Sequence, residues 1–171
     1  NIYAIHAIGG TIYPYFGFAK VFPSAFNIYA IEFFEDYPAE SVEELAAFYA
    51  NNIKSHTGSN QFSVMGHSMG GYIAREIAMI LGQPSIVALD TWYTRPGLLK
   101  LDVIESFLRS AFSILPNPDV MVNRGLRLGE LLSKYDPKKS NIKIFLFKAE
   151  RIGKSALQGV LRNEVTEDMV R

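Results

Sequence analysis

A mostly parallel β-sheet flanked by helices is the fold class that this sequence predicts, on three observations. Strand-like apolar runs alternate with helix-like runs from the N-terminus to Leu89, a glycine-rich turn joins one such strand to one such helix, and a purely helical stretch precedes the last strand-like run. Alternation of this kind predicts parallel strands joined by crossover helices.

Taken in order, Ile2 to Ile5 reads as the first strand, Tyr13 to Phe22 as a helical stretch and Asn27 to Ile31 as the second strand. The helix from Ser41 to Ser55 opens on a capping box, Ser41 with Glu44, and Val42, Leu45, Ala46 and Tyr49 fall on one face. Gln61 to Met65 is a strand, Tyr72 to Met79 an alanine-rich helix, and Pro84 to Leu89 a short strand that Asp90 ends. From Gly97 to Tyr135 the pattern changes to two amphipathic segments, Leu98 to Leu115 and Pro118 to Leu132, with Pro116 and Pro118 between them. That is the pattern of a helical insertion. Asn141 to Phe147 returns to the sheet with Lys148, Ala149 and Glu150 at its carboxyl end, and the sequence after Arg151 is weakly patterned. No repeat, low-complexity tract or flexible linker divides the chain, so residues 1–171 are expected to form a single domain.

Composition narrows the function. A chain of 171 residues with 49% hydrophobic and 13% aromatic residues can bury a sizeable core. Seventeen basic residues balance seventeen acidic ones, which disfavours nucleic acid and anionic membranes as partners. The absence of cysteine excludes disulfides, thiolate metal sites and a cysteine nucleophile, and fits a reducing compartment. No apolar run reaches the roughly 20 residues that span a bilayer, and the N-terminus lacks the pattern of a signal peptide. A soluble, cytoplasmic domain is expected. Because the chain starts without methionine and inside a strand, it is expected to belong to a longer polypeptide.

The most informative stretch is Val64-Met65-Gly66-His67-Ser68-Met69-Gly70-Gly71, a serine between glycines at a strand-to-helix join. This is the pattern of a nucleophile elbow. A strand that reverses sharply into a helix forces the serine into a strained conformation with its hydroxyl exposed, and it needs residues without bulk at Gly66 and Gly70. The new helix aims unpaired N–H groups at the serine, so the Met69 amide is a candidate oxyanion donor.

With this elbow, the opening Ile5-His6-Ala7-Ile8-Gly9-Gly10 and the strand ending Ala88-Leu89-Asp90, the chain resembles the thioesterase domains of fatty acid, polyketide and nonribosomal peptide synthases, over Asn1 to about Glu150. The resemblance implies an α/β-hydrolase fold with a helical lid at about residues 97–135. It implies a serine hydrolase acting on thioesters, with Ser68 as nucleophile and the amides of Ile8 and Met69 as oxyanion hole. The acid maps onto Asp90, twenty-two positions beyond Ser68, with Glu150 as runner-up. The family's histidine lies near the C-terminus, whereas no histidine follows His67 here, so the C-terminal part of the fold is expected to be missing. The implied substrate is an acyl, polyketide or peptidyl chain on the phosphopantetheine arm of a carrier protein, expected in the same polypeptide. It is released by hydrolysis or macrocyclisation, and no bound cofactor or metal is implied. A stand-alone editing thioesterase, a carboxylesterase and an inactive binding module are the alternatives.

The other candidates carry two readings each. His67 precedes the nucleophile and is expected to pack beside the elbow. His6 is expected either to fix the oxyanion loop or to be a half-buried structural histidine, and His56 to lie in solvated loop at the opposite end of the sheet. Trp92, Tyr93 and Arg95 follow Asp90 at the rim, where the aromatics line a substrate channel or pack in the core. Phe107, Leu108, Phe112, Ile114 and Leu115 form an apolar stripe expected to pack on the sheet, with Phe107 and Phe112 partly lining the channel. Lys138 and Lys139 are either a docking spot for an acidic carrier protein or a solvated turn.

Overall fold

The computed structural model describes residues 1–58, 61–91 and 100–149. Five strands, β1 (Ile2–Ile5), β2 (Ile28–Ile31), β3 (Ser63–His67), β4 (Ser85–Leu89) and β5 (Lys143–Phe147), form one sheet in the order β2-β1-β3-β4-β5. Every neighbouring pair is parallel, with Ile5 opposite Gly66 and His67 opposite Leu89 at the carboxyl edge. The expected sheet is therefore present, and all of its strands end at the edge that carries Ser68.

Alternate residues of the strands serve opposite faces. Tyr3, Ile5, Val64, Ile86 and Ala88 join the main core with α2 (Val42–Thr57) and α3 (Gly70–Leu81). Ile2, Ala4 and Met65 form a second cluster with Tyr15 of α1 (Pro14–Val21). Strand β1, inside the sheet, is buried along its whole length, and the hydroxyl of Tyr3, its one polar side-chain group, is hydrogen-bonded to His56.

Caps set the helix limits. The Ser41 hydroxyl accepts from the Glu44 N–H at 3.1 Å, but the Glu44 carboxylate reaches back to the Glu40 N–H, at 2.8 Å, one residue beyond the usual partner in a capping box. The helix runs two residues past Ser55 because Gly58 takes the left-handed conformation that closes it. His56 therefore sits on the last turn of α2, not in a loop as expected, and its Nδ1 is 2.8 Å from the Tyr3 hydroxyl.

The helical insertion is observed as α4 (Leu101–Ala111) and α5 (Pro118–Lys134). Its apolar stripe does not pack on the sheet as expected. Leu108 is buried in a cluster with Ile104 and Val122, Phe107 and Phe112 flank that cluster, and Ile114 is 89% exposed. The physical reason is that α2 and α3 already fill that sheet face, so α4 buries its stripe against α5. The far end of α5 joins the main core through Leu128, Leu131 and Leu132.

A polar clasp ties that end down. Arg75 of α3, only 5% exposed, pairs with Glu76 at 2.5 Å and donates to the Tyr135 hydroxyl at 3.2 Å and to the Lys138 carbonyl. Tyr135 in turn donates to Glu76 at 2.5 Å. A buried guanidinium is tolerated only with such partners, and removing one member leaves the other charge buried. Arg75→Ala is expected to cost about 3 kcal/mol in urea unfolding, whereas the double change Arg75→Met with Glu76→Leu should cost markedly less. Equal losses in the two variants would show that the pair is not what holds the segment.

Candidate active site

Strand β3 ends at His67 and the chain turns at Ser68, whose φ is 54°. For a residue with a Cβ this left-handed conformation costs roughly 1 kcal/mol or more and persists only where neighbours fix it. Three hydrogen bonds do so. The Ser68 N–H donates to the Leu89 carbonyl at 2.8 Å, the Ser68 carbonyl accepts from Gly71 at 3.1 Å, and the Met69 carbonyl accepts from Tyr72 at 3.0 Å.

Two glycines make the turn possible, as expected for an elbow. A Cβ on Gly66 would run into the backbone of Gly70, and one on Gly70 would lie 2.5 Å from the carbonyl oxygens of both Ile5 and His6. Helix α3 thus begins in backbone contact with the ends of β1 and β3. Met69 is its N-cap, so the Met69 N–H has no acceptor within the helix.

The loop after β1 is equally fixed. Gly10 donates to the Ala7 carbonyl at 2.9 Å, and the Gly10 carbonyl accepts from Phe33 at 2.9 Å. His6 is fully buried, not half-buried, and lies edge-on to the rings of Phe33 and Tyr49. Its Nδ1 is 2.8 Å from the Ala7 carbonyl and its Nε2 is 2.9 Å from the Tyr49 hydroxyl. A carbonyl can only accept, so Nδ1 carries the proton and Nε2 accepts from Tyr49. Burial lowers the His6 pKa to about 4, against the hydrogen bond to Ala7, and Arg124 lowers it further. His6 is thus a neutral strut for the loop, with both nitrogens occupied.

The insertion rests on this same loop. A Cβ on Gly9 would lie 2.6 Å from the tip of the Phe112 ring, and Ile8 packs into the α4–α5 cluster. Arg124 of α5 lies beside Gly10 and pairs with Glu32, at 3.1 Å, and with Glu35. Of the four residues expected to line a channel, the two in the insertion are described: Phe107 is packed in the α4–α5 cluster and Phe112 covers Gly9.

Asp90 lies just past the register pair His67–Leu89, across the edge from Ser68. It too has a positive φ, 48°, and its N–H donates to the Phe147 carbonyl at 2.7 Å. Its Oδ1 accepts from the Lys148 ammonium at 3.1 Å and from the Ala149 N–H at 3.4 Å. Burial lowers the His67 pKa, more than the nearby Asp90 charge raises it, and its Nδ1 is buried without a hydrogen-bond partner among the described residues. His56 is tied to Tyr3, which is opposite Val64, four residues or roughly 13 Å of strand before Ser68. Trp92, Tyr93, Arg95 and Glu150 lie outside the described residues, as do 97–99 of the insertion. Lys138 and Lys139 are exposed. Among the described residues no group of His, Asp and Glu side chains converges as a metal ion requires, and no helix is long and apolar enough to cross a membrane.

Sequence reasoning missed the buried tyrosines. Tyr15, whose hydroxyl donates to the Ile5 carbonyl at 2.6 Å, and Tyr49 on the other face carried no signal beyond an aromatic on an amphipathic helix. It missed Arg124 for the same reason.

The family model described as thioesterase domain matches residues 1–86. Among solved structures, the NocB thioesterase domain in covalent complex with a fluorophosphonate nocardicin G analogue is 17% identical, with a TM-score of 0.72 over 90% of this chain and 72% of that one. The four-domain nonribosomal peptide synthetase AB3403, bound to AMP and glycine, is 18% identical, with a TM-score of 0.74 over 98% of this chain and 17% of that one. The thioesterase domain SrfTE, described as cyclising the lipopeptide antibiotic surfactin, is 19% identical, with a TM-score of 0.67 over 90% and 72%. No curated protein matches. At such identities the likeness establishes the fold, which is the expected α/β-hydrolase arrangement.

The His6 geometry sets a pH dependence. Its folded pKa, about 4, lies below the ordinary histidine value of 6.5, so the unfolded chain binds the extra proton first as pH falls. The contribution is intact above pH 6.5 and is lost between 6.5 and 4, by about 3 kcal/mol in all. Denaturant titrations across this range should show that loss in the wild type and not in His6→Asn, which is less stable at neutral pH; parallel pH profiles would contradict the assignment.

Proposed function

From the premise that this chain belongs to the thioesterase domain family, we propose that it releases an acyl, polyketide or peptidyl chain from the phosphopantetheine thioester of a carrier protein through an acyl-serine intermediate. The observation that carries this reading is Ser68 held at a φ of 54° by the Leu89 carbonyl, at the N-terminus of α3. A side chain in that position has its backbone clamped and its hydroxyl at the sheet's carboxyl edge, where open α/β sheets bind ligands.

Ser68 attacks the thioester carbonyl, and the developing oxyanion is received by the amides of Ile8 and Met69. Loss of one such donor typically costs about 3 kcal/mol of transition-state stabilisation. The proton goes to a histidine outside these residues, since His6 has both nitrogens engaged, His56 is bonded far along the sheet and burial lowers the basicity of His67. Asp90 holds that imidazole in its tautomer; its contacts with Lys148 and Ala149 use Oδ1, which leaves Oδ2 for the imidazole N–H. The thiol of the carrier arm leaves, and the acyl-serine passes to water, giving a free acid, or to an internal hydroxyl or amine, giving a macrocycle. The insertion decides between them by how far it excludes water. In this reading Phe107 and Phe112, with Trp92 and Tyr93, border the acyl chain, Lys138 and Lys139 meet an acidic carrier protein encoded in the same polypeptide, and neither metal nor bound cofactor takes part.

Intact-mass analysis with a fluorophosphonate probe tests this. One adduct is expected on Ser68 in the wild type and none in Ser68→Ala, whose thermal unfolding should be nearly unchanged, and Asp90→Asn should slow labelling by about 10⁴-fold. Labelling retained by Ser68→Ala would overturn the nucleophile, labelling without thioester turnover would favour a carboxylesterase, and a wild type that never labels would favour a binding module.

A further inference from the structure

Ile8, the proposed second oxyanion donor, sits inside a turn that the Gly10 N–H closes on the Ala7 carbonyl at 2.9 Å. Where its amide points depends on how the two ends of that turn are held. The Ala7 end is fixed from the core, since the His6 Nδ1 donates to the same carbonyl. The Gly10 end is fixed by other elements. Its carbonyl accepts from the Phe33 N–H at 2.9 Å, and the stem of Arg124 on α5 lies against it, with Cδ 3.5 Å from where a Gly10 Cβ would stand. The Arg124 head pairs with Glu32, at 3.1 Å, and with Glu35, the carboxylates on either side of Phe33 in the chain. One residue on, Gly125 brings the α5 backbone up to the turn itself, where a Cβ would lie 3.2 Å from the Ile8 carbonyl oxygen.

We propose that Arg124 is a positioning residue: by clamping the loop after β2 and Gly10 against α5 it sets the direction of the Ile8 amide, so that the oxyanion hole is complete only while the insertion is docked. This rests on the reading of Ser68 and Ile8 given above. Stability alone does not account for the clamp. Both carboxylates are about half exposed, where ion pairs contribute little, whereas the Arg124 side chain is 20% exposed. A lysine could lay its stem on Gly10, but its point charge lacks the planar head that reaches Glu35 through Nε and Glu32 through Nη1 at once. With Phe112 over Gly9 and Ile8 in the α4–α5 cluster, each residue of the turn from Ile8 to Gly10 meets the insertion. The insertion thereby governs the first chemical step and not only access to it.

The test is Arg124→Met in the full chain, which keeps a stem on Gly10 and removes the head. The maximal rate of fluorophosphonate labelling at Ser68 should fall roughly tenfold, part of the roughly hundredfold that loss of a whole donor costs, while the probe concentration giving half that rate stays the same. Glu32→Gln with Glu35→Gln should give a similar loss from the other half of the clamp. Arg124→Glu combined with Glu32→Arg and Glu35→Arg should recover part of the rate that Arg124→Glu alone loses. Amide exchange in Arg124→Met should quicken at Gly10 and Phe33 and stay unchanged at Ser68, whose N–H is bonded to Leu89. An unchanged maximal rate would overturn the proposal, and so would a change in the half-saturating concentration alone, which would make Arg124 a residue of the entrance. Exchange quickened equally at Ser68 would also overturn it, since that is what general loosening gives. Should Arg124→Met fail to fold, the paired glutamine variant, changed at half-exposed positions, carries the same readings. If the wild type itself does not label, the acyl-serine reading fails alone, and exchange at Gly10 and Phe33 decides whether the clamp fixes the turn.

Discussion

The first turn of α3 lies in backbone contact with the ends of β1 and β3, and the carboxyl edge of the sheet is organised around that contact. It leaves no room for a Cβ at Gly66 or Gly70, and it bends the chain so sharply that Ser68 takes a left-handed φ. The strain is local and is offset locally, by the Leu89 carbonyl on one side and the closing bonds from Gly71 and Tyr72 on the other. The free N–H groups of a helix start and a serine side chain therefore arrive together, by one geometric cause.

Around this contact, buried polar groups act as connectors. Tyr15 donates to the Ile5 carbonyl, and Tyr49 holds His6, which donates to the Ala7 carbonyl. A buried hydroxyl or imidazole costs free energy unless it is hydrogen-bonded, so each of these side chains ties elements together as well as filling space. The insertion is fastened at both ends by the same means. Phe112 and Arg124 bind it to the loop of Ile8, Gly9 and Gly10, and the Arg75–Glu76–Tyr135 clasp holds its exit to α3. Movement of α4 and α5 is thereby coupled to the loop that supplies one proposed oxyanion donor.

Asp90 belongs to a different support. Its N–H is bonded to the end of β5, and its carboxylate to Lys148 and Ala149 just beyond it. The nucleophile's position is set by the centre of the sheet, whereas the acid's is set by its β5 side. Three histidines in the chain then have three separate duties: a strut at the loop, a hydrogen-bond partner of Tyr3 and a neighbour of the nucleophile.

Much of this was legible in the residue order, for definable reasons. Strand and helix alternation, the Ser41 cap and the glycines around Ser68 are local signals, and each depends on neighbours a few positions away. They were sufficient for the parallel sheet, the elbow and the placing of Asp90 at a strand end. His56 was misplaced because a helix end depends on where a left-handed residue closes it, and the apolar periodicity around it is satisfied by a shorter helix as well. The stripe on α4 was assigned to the sheet because a periodic face shows that something covers it without showing what. Tyr15, Tyr49, Phe112 and Arg124 lie far along the chain from most of the groups they touch, and no spacing rule connects residues 6 and 49 or residues 9 and 112. Sequence by itself thus determined the fold class and the proposed nucleophile, because short-range backbone constraints are written in consecutive residues. Only the tertiary structure decided which buried side chains brace the loops around the site, because that depends on which hydroxyl, imidazole or guanidinium meets which group once the layers have packed.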